Sequence, residues 1–591
     1  MSNIPRPEYP RPQFERSSWL SLNGQWSCEF DFSRSGIAKN WPKNTGFSRK
    51  INVPFCPESS LSGIGFTDFI DAIWYHRQIT IPDAWKDQLI LLHFGGVDYR
   101  CIVYINGQEV GRHTGGATPF TIDLTGKVSA GGVYDLVVLA EDNIRSGLQP
   151  HGKQCSRFQS QGCSYTRVTG IWQTVWLEAV NKYGMKKCRI LPDFDNGSFT
   201  FLPEFYNGRI GNTLTVEVFE EGKIAVAGTI AAGAVNAVSL KLPSVREWNP
   251  QSPFLYDIVF TVKDADGVVL DQVKSYAGLR KIHIENGRFY LNNRPIFLRF
   301  VLDQGYYEDG IWTAPNDEAL QNDIRLAQQA GFHGARLHQK VFDERFHYWA
   351  DRMGYLTWAE FPDWGMGFWQ HWGAHANGNY NLTFRDYLLE WSAVVERDIN
   401  HPSIIAWTPL NETNEYYDLD EHRRILADVY DLTRRLDPTR PVNESSGYVH
   451  AKTDIWSVHI YDQTPDGLLN KLEQKPVYMT SEVELPAWNG QPYVVDEYGG
   501  PSFLPEGREK FAENTWGYNG QNTLSQAETE KCIADLTRVL VSNPRVAGYC
   551  YTQLTDIEQE QNGIYNYDRS GKFDMEAIRK CFSEKPEWSG F

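Results

Sequence analysis

The chain has 591 residues, 41% of them hydrophobic and 22% charged, so it can bury sizeable cores and is not disordered. At roughly 150 residues per domain its length implies about four domains, fewer if one is a large barrel. Lys and Arg number 57 against 74 Asp and Glu, and a net charge of −17 makes nucleic acid and anionic membranes poor partners.

Met1 to Pro12 holds four prolines and no apolar stretch, so no signal peptide is read there and a cytoplasmic location is expected. No run of about 18 apolar residues occurs, which argues against a transmembrane helix. Residues 1–180 read as all-β. Trp74–Ile81 approaches a period-two pattern, clearest at Ile79 and Ile81. Arg100–Ile105 and Gln108–Arg112 flank Asn106-Gly107, a hairpin signal because both turn residues need positive φ. Tyr134–Ala140 and Trp172–Glu178 add strands, and a sandwich fits best.

Residues 181–278 read as a second all-β unit, with strands at Thr213–Phe219, Ala237–Leu242, Tyr256–Lys263 and Val268–Val273. This spacing predicts an immunoglobulin-like sandwich. Trp248–Tyr256 carries two prolines and reads as an edge or an inter-domain crossing.

After residue 279 short apolar runs alternate with helical stretches. The runs are Pro295–Val301, His333–His338, Tyr355–Pro362, Ile404–Glu412, Val442–Ser446, Ile455–Tyr461, Tyr493–Gly499 and Val546–Gln553. Amphipathic helices are read at Asp317–Ala330, Asp343–Met353, Phe384–Ile399, Glu421–Leu436 and Gln526–Val541. Pro315 and Gly331 bracket the first of them. Eight such runs over residues 279–591 indicate a (β/α)8 TIM barrel.

Barrel chemistry sits at the C-terminal ends of the strands. Those ends supply Arg336 and His338, Glu360 and Asp363, Asn411 and Glu412, His459 and Tyr461, and Asp496 and Glu497. Glycosidic chemistry needs two carboxyl groups, one to protonate the leaving oxygen and one to attack the anomeric carbon. Strands four and seven face each other across an eight-membered ring, which brings Glu412 opposite Glu497.

Asn411-Glu412 and Glu497 resemble the acid/base and nucleophile of the barrel glycosidases, and the flanking segments resemble glycoside hydrolase family 2. Those segments include Leu22–Trp26, Trp74–Arg77, Phe94–Asp98, Tyr104–Gly107, Gly170–Gln173, Gly278–Ile282 and His401–Trp407. The resemblance covers nearly the whole chain. It implies a jelly-roll, sugar-binding-like domain at 1–180, an immunoglobulin-like domain at 181–278 and the catalytic barrel at 279–591. It also implies Glu497 as nucleophile, Glu412 as acid/base, Asn411 on the sugar 2-OH, Tyr461 beside Glu497 and Arg336 keeping Glu497 ionised. His338 and His459 are implied hydroxyl contacts. Gln304, Glu360 and Trp364 are expected around the non-reducing sugar, making the enzyme exo-acting on an oligosaccharide or glycoside.

Departures bear on the sugar. β-Glucuronidases of the family carry an Asn-x-Lys that grips the sugar carboxylate. Here Glu560-Gln-Asn562 precedes Gly563-Ile-Tyr565 without a Lys. Glu558 and Glu560 add negative charge, so a neutral sugar is expected, with β-galactoside first and β-glucuronide as the alternative. A uronide preference would require another cation, such as Lys340 or Arg569, to reach the pocket. The first barrel strand ends in Leu302-Asp-Gln304, not the family's usual Asn-Arg-His.

Plainer readings compete at each point. A lone strand-end Glu is more often a surface ion pair than a catalyst; two inside family-like segments reverse that. Glu415 reads as a loop charge and Asp496 as a wall residue, by strand alternation. The aromatic loop Phe361–Trp372 is either packing or a sugar-stacking platform. The 14 His contain no HExxH, the nine scattered Cys contain no CxxC, and no metal or cofactor is expected. A barrel that binds carbohydrate without catalysis is the alternative of another class. A homo-oligomer stays open.

Overall fold

The computed structural model describes residues 4–233, 236–365, 380–413, 419–474, 486–508, 510–520 and 524–591. Residues 366–372 of the aromatic loop and the Glu415 position lie outside them.

The first unit is a sandwich. A six-stranded sheet runs in the order Arg49–Val53, Gly24–Phe30, Ala72–Thr80, Val133–Glu141, Arg100–Ile105, Gln108–Thr114. A four-stranded sheet of Trp19–Ser21, Val175–Val180, Leu89–Phe94 and Phe120–Asp123 accompanies it. Trp26, Tyr75, Leu92, Phe94, Leu136 and Leu177 belong to its core. Asn106 and Gly107 take φ of 48° and 80°, as the hairpin pattern requires.

The second unit packs a three-stranded sheet against a four-stranded one, in the immunoglobulin-like manner. Period-two burial sets its register. Leu214, Val216 and Val218 pair with Val262, Phe260 and Ile258 on the neighbouring strand, and all six are fully buried. Strands Met185–Asp193, Ser198–Phe205 and Lys223–Ala231 join those read from sequence. The proline-bearing crossing is a short hairpin of Trp248–Asn249 and Ser252–Pro253, whose buried Trp248 donates its indole N–H to the Asp351 carbonyl on a barrel helix at 2.7 Å.

In the barrel, seven strands form one parallel sheet. Its order is Ile404–Thr408, Leu356–Glu360, Gly334–Leu337, Leu298–Asp303, Val546–Tyr551, Tyr493–Tyr498, Trp456–Ile460. Barrel strand five is short: Ser445–Ser446 pairs with Leu410–Asn411 at the end of strand four. Strands buried on both faces read as near-continuous apolar runs, which makes most of them legible, though the short strand five sits in the polar stretch Val442-Asn-Glu-Ser-Ser446. Helices cover the outside at Asp317–Gln329, Glu344–Met353, Tyr380–Asp398, Leu419–Leu436 and Gln526–Ser542. Side-chain caps start them: Asn316 accepts from Ala319 N, Asp343 from Arg345 N, and Ser525 with Glu528 forms a capping box. Two shorter helices, Pro465–Leu472 and Met575–Ser583, were not foreseen. Among the described residues no helix is long and apolar enough to cross a membrane.

Candidate active site

The strand-end residues converge at the C-terminal rim of the barrel. Glu412 follows the last paired residue of strand four and is held by its own N–H to the Ser446 carbonyl at 2.8 Å. Its φ of 53° is a left-handed conformation that a non-glycine residue adopts at a cost of about 1–3 kcal/mol, a cost common at functional positions. Glu497 lies in strand seven and is almost fully buried.

His459 bridges the two. Its Nδ1 is 2.7 Å from Glu412 Oε1 and 3.4 Å from Glu497 Oε2, while Nε2 meets Ser446 Oγ at 2.9 Å and Asp496 at 3.5 Å. One oxygen of Glu412 and one of Glu497 approach within 4.8 Å. Inverting glycosidases need about 6.5–9.5 Å between their carboxyl groups to hold a water, and retaining ones about 5–5.5 Å. The approach here matches the shorter class.

Arg336 organises the floor. Its Nη1 donates to Glu497 Oε1 at 2.9 Å, Nε to Glu360 Oε2 at 2.6 Å, and Nη2 to Asn411 Oδ1 at 2.6 Å and His338 Nδ1 at 3.1 Å. Tyr461 donates to Glu497 Oε2 at 2.5 Å. Asn411 Nδ2, buried at the rim, has no hydrogen-bond partner among the described residues.

The charges follow from these contacts. Burial opposes ionisation of Glu497 and Glu412 also pushes its pKa up, but His459 and Arg336 hold it below the usual range. Burial opposes the charge on His459 too, yet Glu497, Asp496 and Glu412 raise it to about 9. Glu412 is held down to about 2: burial resists this, and the His459 hydrogen bond and charge overcome it. In this structure the proton of the Glu412–His459 pair therefore sits on the imidazole. His338 is neutral, pushed down by burial and then by Lys153 and Arg336.

Other expected contacts are positioned differently from the sequence reading. Glu360 has both oxygens engaged, one by Arg336 and one by Gln339 N at 3.1 Å. Trp364 spends its indole N–H on the Asn411 carbonyl at 3.2 Å, and the Lys153 ammonium sits 4.2 Å from its ring centroid. Gln304 belongs to a closed hydrogen-bonded ring. It donates to Gln553 Oε1 and to Tyr165 OH; Gln553 donates to Asn562, Asn562 to Glu560 Oε1, and Tyr165 to Glu560 Oε2. This ring closes the mouth between strands one and eight. Asp496 accepts from Ser446 at 2.6 Å inside the wall.

Glu558 is turned away from the carboxylates and accepts from Thr166 N, at 3.0 and 3.1 Å. Lys340 donates to the Gly305 and Trp312 carbonyls, and Arg569 pairs with Asp323. Besides Arg336 and the protonated His459, a further cation lies near the carboxylates: Lys153, from the first sandwich. Its loop docks on the barrel through His151 N and Gly152 N to the Trp364 carbonyl, at 2.7 and 3.2 Å. A Cβ on Gly152, at φ 59°, would stand 2.4 Å from the Gln339 carbonyl, so only glycine allows this approach. Tyr165 and Lys153 lie about 250 residues or more from the catalytic strands in sequence, and no local pattern marks them.

Comparison with known proteins adds the family. The model for "Glycosyl hydrolases family 2, TIM barrel domain" matches residues 282–583, the family 2 sugar-binding domain residues 65–176, and a further family 2 domain residues 206–280. A β-glucuronidase of Paenibacillus borealis is 24% identical over 513 residues, covering 81% of this chain and 82% of that protein. A β-galactosidase of Thermoanaerobacter pseudethanolicus is 26% identical over 499 residues, covering 82% of this chain and 60% of that protein. A Formosa agariphila relative, 25% identical, matches 73% of this chain but only 51% of its own length. The crystal structure of Ruminococcus gnavus β-glucuronidase superposes with a TM-score of 0.81 at 19% identity, over 99% of both chains, which speaks for the fold.

Proposed function

Because the chain belongs to glycosyl hydrolase family 2, we propose that it is an exo-acting retaining β-glycosidase using Glu497 as nucleophile and Glu412 as acid/base. The boundaries 1–180, 181–278 and 279–591 are part of the same reading. The observation that carries it is the approach of the two carboxylates within 4.8 Å, with Arg336 on Glu497 and His459 on Glu412.

Glu497 attacks the anomeric carbon as the bond to the leaving oxygen breaks, and Glu412 delivers the proton that oxygen takes. Glu412 receives that proton from His459 along their 2.7 Å hydrogen bond. A water then attacks the glycosyl–Glu497 ester, losing its proton to Glu412, and the sugar leaves with its configuration retained. Asn411 Nδ2, buried and without a partner among the described residues, suits the sugar 2-OH.

Glu497→Ala is expected to lose turnover on every aryl β-glycoside. Glu412→Ala is expected to be milder on those with good leaving groups, with partial rescue by azide. Unchanged turnover in Glu497→Ala would remove the mechanism, and a wild type that binds but never turns over these substrates would favour a non-catalytic carbohydrate binder. Two sugar classes compete. Buried Glu560 supports a neutral sugar such as a β-galactoside; Lys153 supports a β-uronide.

A further inference from the structure

The side chain of Lys153 is 7% exposed. Its Nζ makes no hydrogen bond and no ion pair among the described residues, and rests on the Trp364 ring. Burial opposes its charge, while Cys163, Glu560, Glu412 and Glu497 more than compensate and hold its pKa above the ordinary lysine value. The ammonium is thus charged, rests on Trp364 and lies close enough to the catalytic pair for their charges to act on it. Each nearby carboxylate is already bound elsewhere: Glu560 by Tyr165 and Asn562, Glu412 by His459, Glu497 by Arg336 and Tyr461. Three N–H donors of an enclosed ammonium therefore have no acceptor among the described residues. Buried charges are normally paired, because leaving one unpaired costs several kcal/mol. A cavity of about 480 Å³ lined by His151, Gln154, Arg157, Cys163, Ser164 and Trp364 shares the Trp364 ring with it, while Lys153 and the two carboxylates lie outside that lining.

We propose that Lys153 grips the carboxylate of a terminal β-linked hexuronic acid, so that the sandwich supplies the cation the barrel loop lacks. This rests on the reading of the site as a glycosidase pocket. A sugar hydroxyl would give the ammonium a neutral acceptor; a carboxylate would give its unfilled N–H donors a charged one and form a direct ion pair. Glu560 does not veto the anion. Tyr165 and Asn562 cover its oxygens, and burial raises its pKa, against Lys153.

The test compares wild type, Lys153→Met and Lys153→Arg. Met keeps the stem packed on Trp364 and removes only the charge; with no hydrogen bond lost, the fold should persist. Steady-state kcat/KM is measured on matched 4-nitrophenyl β-glucuronide and β-glucoside, and on β-galacturonide and β-galactoside. Binding of glucuronic acid, galacturonic acid, glucose and galactose is measured by calorimetry. The wild type is expected to prefer the uronide in at least one pair. Lys153→Met is expected to lose about 100-fold on that uronide and less than about threefold on its neutral partner. Lys153→Arg should recover part of the loss. A wild type preferring the neutral member of both pairs, or equal losses on both members, would overturn the inference. Binding of a uronic acid that depends on Lys153 in an enzyme that turns over none of the glycosides would leave the inference standing and sink the catalytic reading instead.

Discussion

His459 stands where Glu412, Glu497 and Asp496 converge, and its proton has consequences for stability and rate. Its folded pKa of about 9 lies above the ordinary 6.5. The native state therefore holds a proton that the unfolded chain releases, and the resulting stability is complete below about pH 6.5 and lost as pH rises through about 9. Glu412 carries the other half of the same ion pair. Its contribution is present above about pH 4.5 and lost as pH falls toward 2, and the two shifts are one interaction counted once. His459→Gln should cost about 3 kcal/mol near pH 6, and the gap to wild type should shrink between pH 7 and 10. The basic limb of kcat/KM should fall near pH 9 in wild type and move to lower pH in the variant. Urea titrations and rate profiles across that range decide it; a stability gap independent of pH would show that the proton contributes nothing.

The strand ends do more than present side chains. Gly447 follows the two-residue strand five at φ 90°, and a Cβ there would lie 2.8–3.0 Å from three atoms of the His459 ring. Gly447→Ala should push the imidazole off Glu412 and reduce kcat about 100-fold, and stability should fall by the strain of one left-handed alanine, about 1–2 kcal/mol, together with part of the Glu412–His459 stabilisation. Full activity in that variant would show that the His459 position is not critical. The legibility of the elements has physical causes. The barrel strands are apolar runs because both faces are buried, and Tyr493–Tyr498 was readable for that reason. Met185–Asp193 and Ser198–Phe205 were missed because each contains a proline, Pro192 and Pro203, which weakens a strand reading. Pro465–Leu472 and Met575–Ser583 are too short for helical periodicity to stand out. Among site residues, those at strand ends were legible from position alone. Glu360 was named but its partners were not, because only the third dimension shows Arg336 and Gln339 N on its two oxygens.

Lys153 and Tyr165 were illegible for a reason that belongs to the whole molecule: they meet the barrel only through folding. The units are joined by buried polar contacts. Arg16 pairs with Glu178 of the first unit and Asp271 of the second. Tyr276 donates to Asp351, Tyr99 to Glu390, Thr313 to the Trp172 carbonyl and Tyr165 to Glu560, all between 2.5 and 2.8 Å. Trp172 of the sandwich packs on Trp312 of the barrel with ring centroids 5.0 Å apart. Unfolding one unit alone would strand each of these groups on the others, at about 1–3 kcal/mol apiece. Five such bonds sum to roughly 5–15 kcal/mol, comparable with the whole stability of a typical domain, so separate melting is disfavoured. The chain should therefore lose tryptophan fluorescence, far-ultraviolet dichroism and activity in one coincident urea transition. Two resolved transitions, or activity lost well before fluorescence, would show that the sandwich leaves the barrel first. Tyr165→Phe separates the site from the fold within the same titration. It removes one donor from Glu560 and breaks the ring between strands one and eight while the rest of the interface stays intact. Its activity should then fall at lower urea than its fluorescence, a split absent from wild type, and coincident curves in the variant would mean that the ring does not hold the pocket together.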